Sequence, residues 1–182
     1  SKAPDFVLTK TDLTDISLND LKGKKVVINI FPSIDTPVCS ASVRRFNEEV
    51  SNLQGTSVVC VSLDLPFAHS RFCEAEGIKD VIPASEMRNR DFGDRYGVRM
   101  VDGPLAGLLA RAVIVLNEES DILYSKLVSD ISMEPEYDEV LNILKKYETE
   151  GGIDKELCTQ APTAEHSRPG NNDEPCDDGR SG

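Results

Sequence analysis

Lys25-Val26-Val27-Ile28-Asn29-Ile30-Phe31-Pro32-Ser33-Ile34-Asp35-Thr36-Pro37-Val38-Cys39 is the stretch that decides the fold. Lys25 to Phe31 is a near-continuous apolar run, the pattern of a central strand buried on both faces. Pro32 to Pro37 is rich in turn formers. Beyond it, Val43, Phe46, Val50 and Leu53 recur at helical spacing, with Arg44, Arg45, Glu48 and Glu49 on the opposite face. Gly55 ends that helix. Helix grammar then places the junction. Thr36 suits the N-cap and Pro37 the first helical position, so Val38 and Cys39 are the second and third helical residues. Backbone N–H groups in a first turn lack helical partners, and the positive end of the helix dipole lies there, so an anion is stabilised. A cysteine in that place is expected to be a good nucleophile. On spacing alone the plainer alternative stays open, a buried cysteine in a helix's first turn.

The pattern continues outward from this junction. Ser57 to Leu63 reads as a second buried strand, and a short helix is expected between Pro66 and Gly77. Val81 to Ala84 reads as a short strand, and residues 89–96 as a helical turn or two closed by Gly97. Ala110 to Leu116 and Ile122 to Val128 read as strands joined by the polar turn Asn117 to Asp121. A last helix is expected from Glu134 to Tyr147, with Tyr137, Val140, Leu141 and Leu144 at helical spacing. Alternating strands and helices, then a hairpin and a helix, predict an α/β sandwich of thioredoxin type. Cys60 lies mid-strand among valines and is expected to be a small buried hydrophobe. His69 is expected on the exposed face of its helix, and Arg111, at a strand start, reads as a surface residue.

Three separated motifs in order resemble one family. Pro32-x-x-x-Thr36-x-x-Cys39 matches the active-site pattern of the peroxiredoxins. Phe31 to Arg44, Leu65-Pro66-Phe67-Ala68-His69-Ser70-Arg71-Phe72-Cys73 and Asp102-Gly103-Pro104-Leu105-Ala106-Gly107-Leu108-Leu109-Ala110-Arg111-Ala112-Val113 resemble its bacterial thiol peroxidase branch, the atypical two-cysteine type. The resemblance covers about Ala3 to Tyr147. It implies a thioredoxin-like fold, a central mixed β-sheet flanked by helices. It also implies that Cys39 is the peroxidatic cysteine and Cys73 the resolving cysteine, the two forming a redox disulfide. Thr36 would be the hydroxyl that bonds thiolate and peroxide, Pro32 the ring that shields the pocket, and Arg111 the guanidinium that stabilises thiolate and polarises peroxide. The expected function is thiol-dependent reduction of hydrogen peroxide and organic hydroperoxides. The expected partners are thioredoxin as reductant and a second copy of the chain, with no cofactor. The runner-up is a peroxide sensor that passes its disulfide to a partner protein. A thioredoxin-like oxidoreductase is weak, because no Cys-x-x-Cys is present. The family usually begins with a β-hairpin before the segment resembling residues 1–6, which leaves coverage of the sheet edge open.

Composition bounds the rest. The 182 residues carry a net charge of −12 and a pI of about 4.6; such a chain repels phosphate backbones, so no nucleic-acid role is expected. No apolar run approaches a membrane span, and Ser1 to Phe6 shows no signal-peptide core. The five cysteines are therefore expected to be mostly free thiols in a reducing compartment, which the resemblance implies is the bacterial cytoplasm. His69 and His166 fall in no metal-ligand spacing. Residues 148–182 hold nine acids against three bases and no Phe, Tyr, Trp, Val or Met. Such a segment buries too little apolar surface to offset its ordering entropy. The expected division is a catalytic domain over 1–147 and an acidic, disordered tail over 148–182 that holds Cys158 and Cys176.

Overall fold

The computed structural model describes residues 1–50 and 53–157. Its elements run β1 (Val7–Lys10), β2 (Asp15–Ser17), a 3-10 turn (Leu18–Leu21), β3 (Lys25–Ile30), α1 (Pro37–Val50), β4 (Thr56–Ser62), α2 (Pro66–Glu76), β5 (Val81–Ser85), α3 (Asp91–Arg95), β6 (Ala112–Leu116), β7 (Ile122–Leu127) and α4 (Tyr137–Leu157). The strands form one mixed sheet in the order β2-β1-β5-β4-β3-β6-β7. β3, β4 and β5 are parallel neighbours. α1 and α2 are the crossovers between them, as parallel pairing requires. β6 pairs antiparallel with β3 and β7 with β6. The thioredoxin-like α/β fold expected from the pattern is the observed one.

Strand alternation divides the core into two layers. Val26, Ile28 and Ile30 of β3 face one layer with Phe6, Leu8, Phe92 and Leu109. Val27 and the following Phe31 face the other, with Val43 and Phe46 of α1 and Val140 and Leu144 of α4. Each such side chain contributes roughly 1.5–3 kcal/mol on full burial, and all six β3 residues are buried. The strand end that launches the loop before α1 is thus firmly packed. Asn29 is the polar exception. Its Nδ2 donates to Ser42 Oγ of α1 at 3.1 Å, and Ser42 Oγ donates to the Cys39 carbonyl at 2.7 Å. This chain of bonds pins the first turns of α1 to the central strand.

Two expectations need amendment. The edge pair β1 and β2 has no counterpart in the sequence pattern; it pairs with β5 and covers that side of the sheet. Its strands are short, and Leu8 and Thr9 are both buried, so no clean alternation marks them. α3, Asp91–Arg95, is the helical turn or two expected within 89–96, closed by Gly97 in the left-handed region at φ 66°. The last helix begins at Tyr137 and continues past Tyr147 to Leu157, through Gly151 and Gly152, which read as breakers. Cys158 and Cys176 lie outside the described residues. Among the described residues no helix is long and apolar enough to cross a membrane.

Candidate active site

Cys39 lies in the first turn of α1, as the capping pattern predicts, and is fully buried. Its N–H donates to Thr36 Oγ1 at 3.4 Å, so Thr36 acts as the cap. The Thr36 hydroxyl proton goes to the Ser33 carbonyl at 3.1 Å; donation to sulfur or peroxide would need that hydroxyl to rotate. Arg111 lies one residue before β6, the strand next to β3, whose Ile30 pairs with Ala112, the first residue of β6. Its Nη2 lies 3.3 Å from Cys39 Sγ. Far from being a surface residue, Arg111 is 1% exposed. The Ile131 carbonyl fixes it, accepting from Nη2 at 2.9 Å and Nε at 3.3 Å. Nη1 is buried without a hydrogen-bond partner. A buried donor left unpaired is costly, and Arg111 is one of the residues that line a cavity.

That cavity, about 310 Å³, is lined by Pro32, Thr36, Val38, Leu105, Leu108, Arg111 and Ile131, with Ser33, Pro37 and Ser132 completing it. Cys39 is not among the lining residues, but its sulfur meets the guanidinium of Arg111, which is one of them. Pro32 is buried in the cavity wall. Leu105 and Leu108 come from the loop between α3 and β6. Arg99 holds that loop by donating to the Gly107 carbonyl at 3.0 Å. The fully buried Glu86 in turn takes two bonds from Arg99 at 2.8 and 3.0 Å. Gly93 is needed for this approach, because a Cβ there would sit 2.6 Å from Arg99 Nη2.

Cys73 lies on α2, half-buried, one helix away. It is a free thiol, as are Cys39 and Cys60, and burial pushes its pKa up. Its carbonyl receives the N–H groups of Gly77 and Ile78, closing the helix through a left-handed Gly77. Cys60 sits in the core as expected, and burial pushes its thiol up to about 12, which makes it inert.

His69 departs from expectation. It is 1% exposed, with Nε2 2.9 Å from Ser62 Oγ. Ser62 Oγ donates to Asp64 Oδ2 at 2.6 Å. Asp64 also accepts from Ile34 N at 2.7 Å and from Ser33 Oγ at 2.9 Å, so it shapes the loop before Cys39. Asp64, Ile131, Leu105 and Leu108 do not stand out in the sequence as site residues. A lone Asp just after a buried strand is the only signal for Asp64. A backbone carbonyl such as that of Ile131 leaves no sequence signal at all. Among the described residues, no three His, Cys, Asp or Glu side chains converge to hold a metal ion.

With this geometry in place, the comparisons with known proteins are informative. Residues 1–141 match the Redoxin family model. Thiol peroxidases of Mycobacterium bovis and Mycobacterium tuberculosis are each 51% identical over 144 residues, covering 79% of this chain and 86% of the relative. Among solved structures, a peroxiredoxin-like protein from Aquifex aeolicus superposes with a TM-score of 0.77 at 42% identity, covering 80% of this chain and 85% of its own. A thiol peroxidase from Chromobacterium violaceum, 22% identical, shares the fold with a TM-score of 0.73, over 82% of this chain and 87% of its own. The chain belongs to the redoxin family and, within it, to the thiol peroxidases.

Proposed function

We propose that this thiol-dependent peroxidase works through Cys39 and is completed by Cys73. The observation that carries the reading is the Arg111 Nη2 to Cys39 Sγ contact of 3.3 Å, with a second nitrogen of the same guanidinium left unpaired. The Cys39 thiolate attacks the terminal, proton-bearing oxygen of the hydroperoxide, the S–O bond forms as the O–O bond breaks, and the departing alkoxide or hydroxide takes a proton from water. Sulfur is oxidised to the sulfenic acid and the peroxide is reduced to alcohol or water. Negative charge spreads over sulfur and both oxygens in the transition state, and fixed donors aimed at it lower the barrier. Arg suits this, being always charged and rigidly forked. Thr36 supplies a second donor once its hydroxyl turns from Ser33. An apolar cavity of about 310 Å³ exceeds what hydrogen peroxide needs and supports organic hydroperoxides as substrates as well.

The Cys73 thiol then displaces water from the Cys39 sulfenic acid to give the disulfide, ahead of over-oxidation. A dithiol protein of thioredoxin type reduces that disulfide by exchange. α2 must open first, because Cys39 is fully buried and Cys73 belongs to a separate helix. Leu65, Phe67, Val101 and Met133 stay exposed, which supports burial against a second copy of the chain. Free thiols at Cys39, Cys60 and Cys73 fit a reducing compartment such as the bacterial cytoplasm. Family membership does not favour the sensor reading. The deciding experiment is peroxide consumption with thioredoxin, thioredoxin reductase and NADPH. Wild type should turn over and Cys39→Ser should not; turnover by Cys39→Ser would end the reading.

A further inference from the structure

Only Pro66 and His69 of α2 are fully buried; Ala68, Phe72 and Cys73 pack against the core while remaining partly exposed. The helix that carries Cys73 is therefore anchored by an imidazole, edge-on to the Phe31 ring at 6.2 Å. The proton positions follow from the network. Ser62 has one hydroxyl proton, and its 2.6 Å contact with the Asp64 carboxylate takes it. Ser62 Oγ then accepts from Asp64 N at 3.2 Å and from His69 Nε2 at 2.9 Å. Assigned in this way, His69 is a neutral Nε2–H donor. Its bond runs through Ser62 and Asp64 to Ser33 and Ile34. The Ser33 carbonyl in turn holds the Thr36 hydroxyl that caps Cys39. A second, exposed tie joins the same parts, Arg71 of α2 to Asp35 at 3.1 Å.

We propose that His69 is a positioning residue that couples the packing of α2 to the loop before Cys39, and that proton uptake on opening eases the release of Cys73 in mild acid. The functional consequence rests on the reading of Cys73 as the resolving thiol; the coupling itself does not. Packed, His69 is held below its ordinary 6.5 by burial, against the opposing pull of Asp64 and Asp35, the acidic groups that face it. Arg71 is paired with that Asp35, and Cys73 is one turn further along α2. When α2 opens, the ring meets water and titrates near 6.5. Below that pH the opened state binds more protons than the packed state. The packing contribution is therefore complete above 6.5 and lost as pH falls beneath it. The opened fraction should rise by at most about tenfold per pH unit in that range.

The test compares the full-length reduced wild type with His69→Gln and His69→Leu. Gln offers the same N–H to Ser62 without titrating; Leu offers none. Hydrogen exchange at about pH 5.5 and 7.5, corrected for intrinsic rates, reads α2 and residues 33–36. In wild type both segments should lose protection together at the lower pH, by several-fold up to about tenfold. His69→Gln should lose none with pH, and His69→Leu should be open at both values. An equal pH response in wild type and His69→Gln, or loosening of α2 without the loop, overturns the proposal. A second readout is the rate of disulfide formation after one equivalent of hydrogen peroxide. The ratio of wild type to His69→Gln should climb towards acid, and a flat ratio overturns the proposal. If peptide mapping finds no Cys39–Cys73 disulfide in either protein, the resolving role fails, and the exchange result still decides the coupling.

Discussion

Cys39 and Cys73 belong to the same α/β unit but sit in opposite kinds of surroundings. Cys39 sits in the first turn of a helix that is pinned through Asn29 and Ser42 to a strand buried along its whole length. A guanidinium held by the Ile131 carbonyl meets its sulfur. Cys73 sits on an 11-residue helix with two fully buried side chains, one of them a histidine. Its thiol is pushed up by burial, with no cation to offset that. The first site is organised for negative charge before substrate arrives. The second is packed lightly enough to leave. The proposed cycle, which protects a thiolate and later exposes a disulfide, would use both kinds of surroundings.

The largest effect should come from the organised site. Cys39→Ser should reduce peroxide consumption to background with every reductant, because Cys60 is inert and Cys73 lacks a cation. Residual turnover would erase the distinction between the two thiols. Cys73→Ser should split the cycle instead. The first reaction with one equivalent of peroxide should keep its rate within about twofold, since Cys73 takes no part in the O–O cleavage, while steady-state recycling through thioredoxin stops. Stopped-flow and coupled assays on one preparation separate the two phases.

Arg111→Met should lower the second-order rate with peroxide by about 10²–10³-fold, the size expected on losing a preorganised charge donor. Arg111→Lys should recover only part of it. One ammonium on a flexible stem cannot reproduce the planar fork that serves Ile131, the sulfur and the cavity together. A loss below about threefold in Arg111→Met would move the source of activation to the helix start alone.

The smallest effect is a pH window for α2. Cys73, raised by burial from 9.0 while packed, contributes packing that is complete below 9.0 and lost as pH rises through its packed value. His69, lowered from 6.5, loses its contribution below 6.5. The helix should therefore be best protected between about pH 6.5 and 9. Exchange at the Cys73 amide, corrected for intrinsic rate, should pass through a minimum in that window; monotonic behaviour would show that neither group reports on the helix.

Much of the molecule is legible in the chain, and the boundary of legibility is physical. The junction from β3 to α1 can be read because strand burial, capping and helix periodicity are local rules, and they put Cys39 in the first turn where it is found. Arg111 is legible only through the family motif. It meets Cys39 across 72 positions, and a bare Arg at a strand start carries no sign of which way it points. His69 is misplaced by the sequence because Phe67, Phe72 and their neighbours make no clear stripe on α2. The buried side is decided instead by Ser62 and Asp64, which tertiary packing brings near. The edge strands β1 and β2 escape for a similar reason, being too short for alternation to rise above noise. Gly151 and Gly152 argue for an earlier end to α4 than the one observed at Leu157.

One cysteine is held and the other is released: that is the central claim. Residue-resolved hydrogen exchange on the reduced and peroxide-oxidised forms of the full chain addresses it directly. Oxidation should lower protection across residues 66–77 and 36–42 and leave 56–62 as protected as before. Unchanged protection in the first two segments, with a Cys39–Cys73 disulfide established by peptide mapping, would mean that the two sulfurs meet without opening, and would contradict the release of Cys73 by α2.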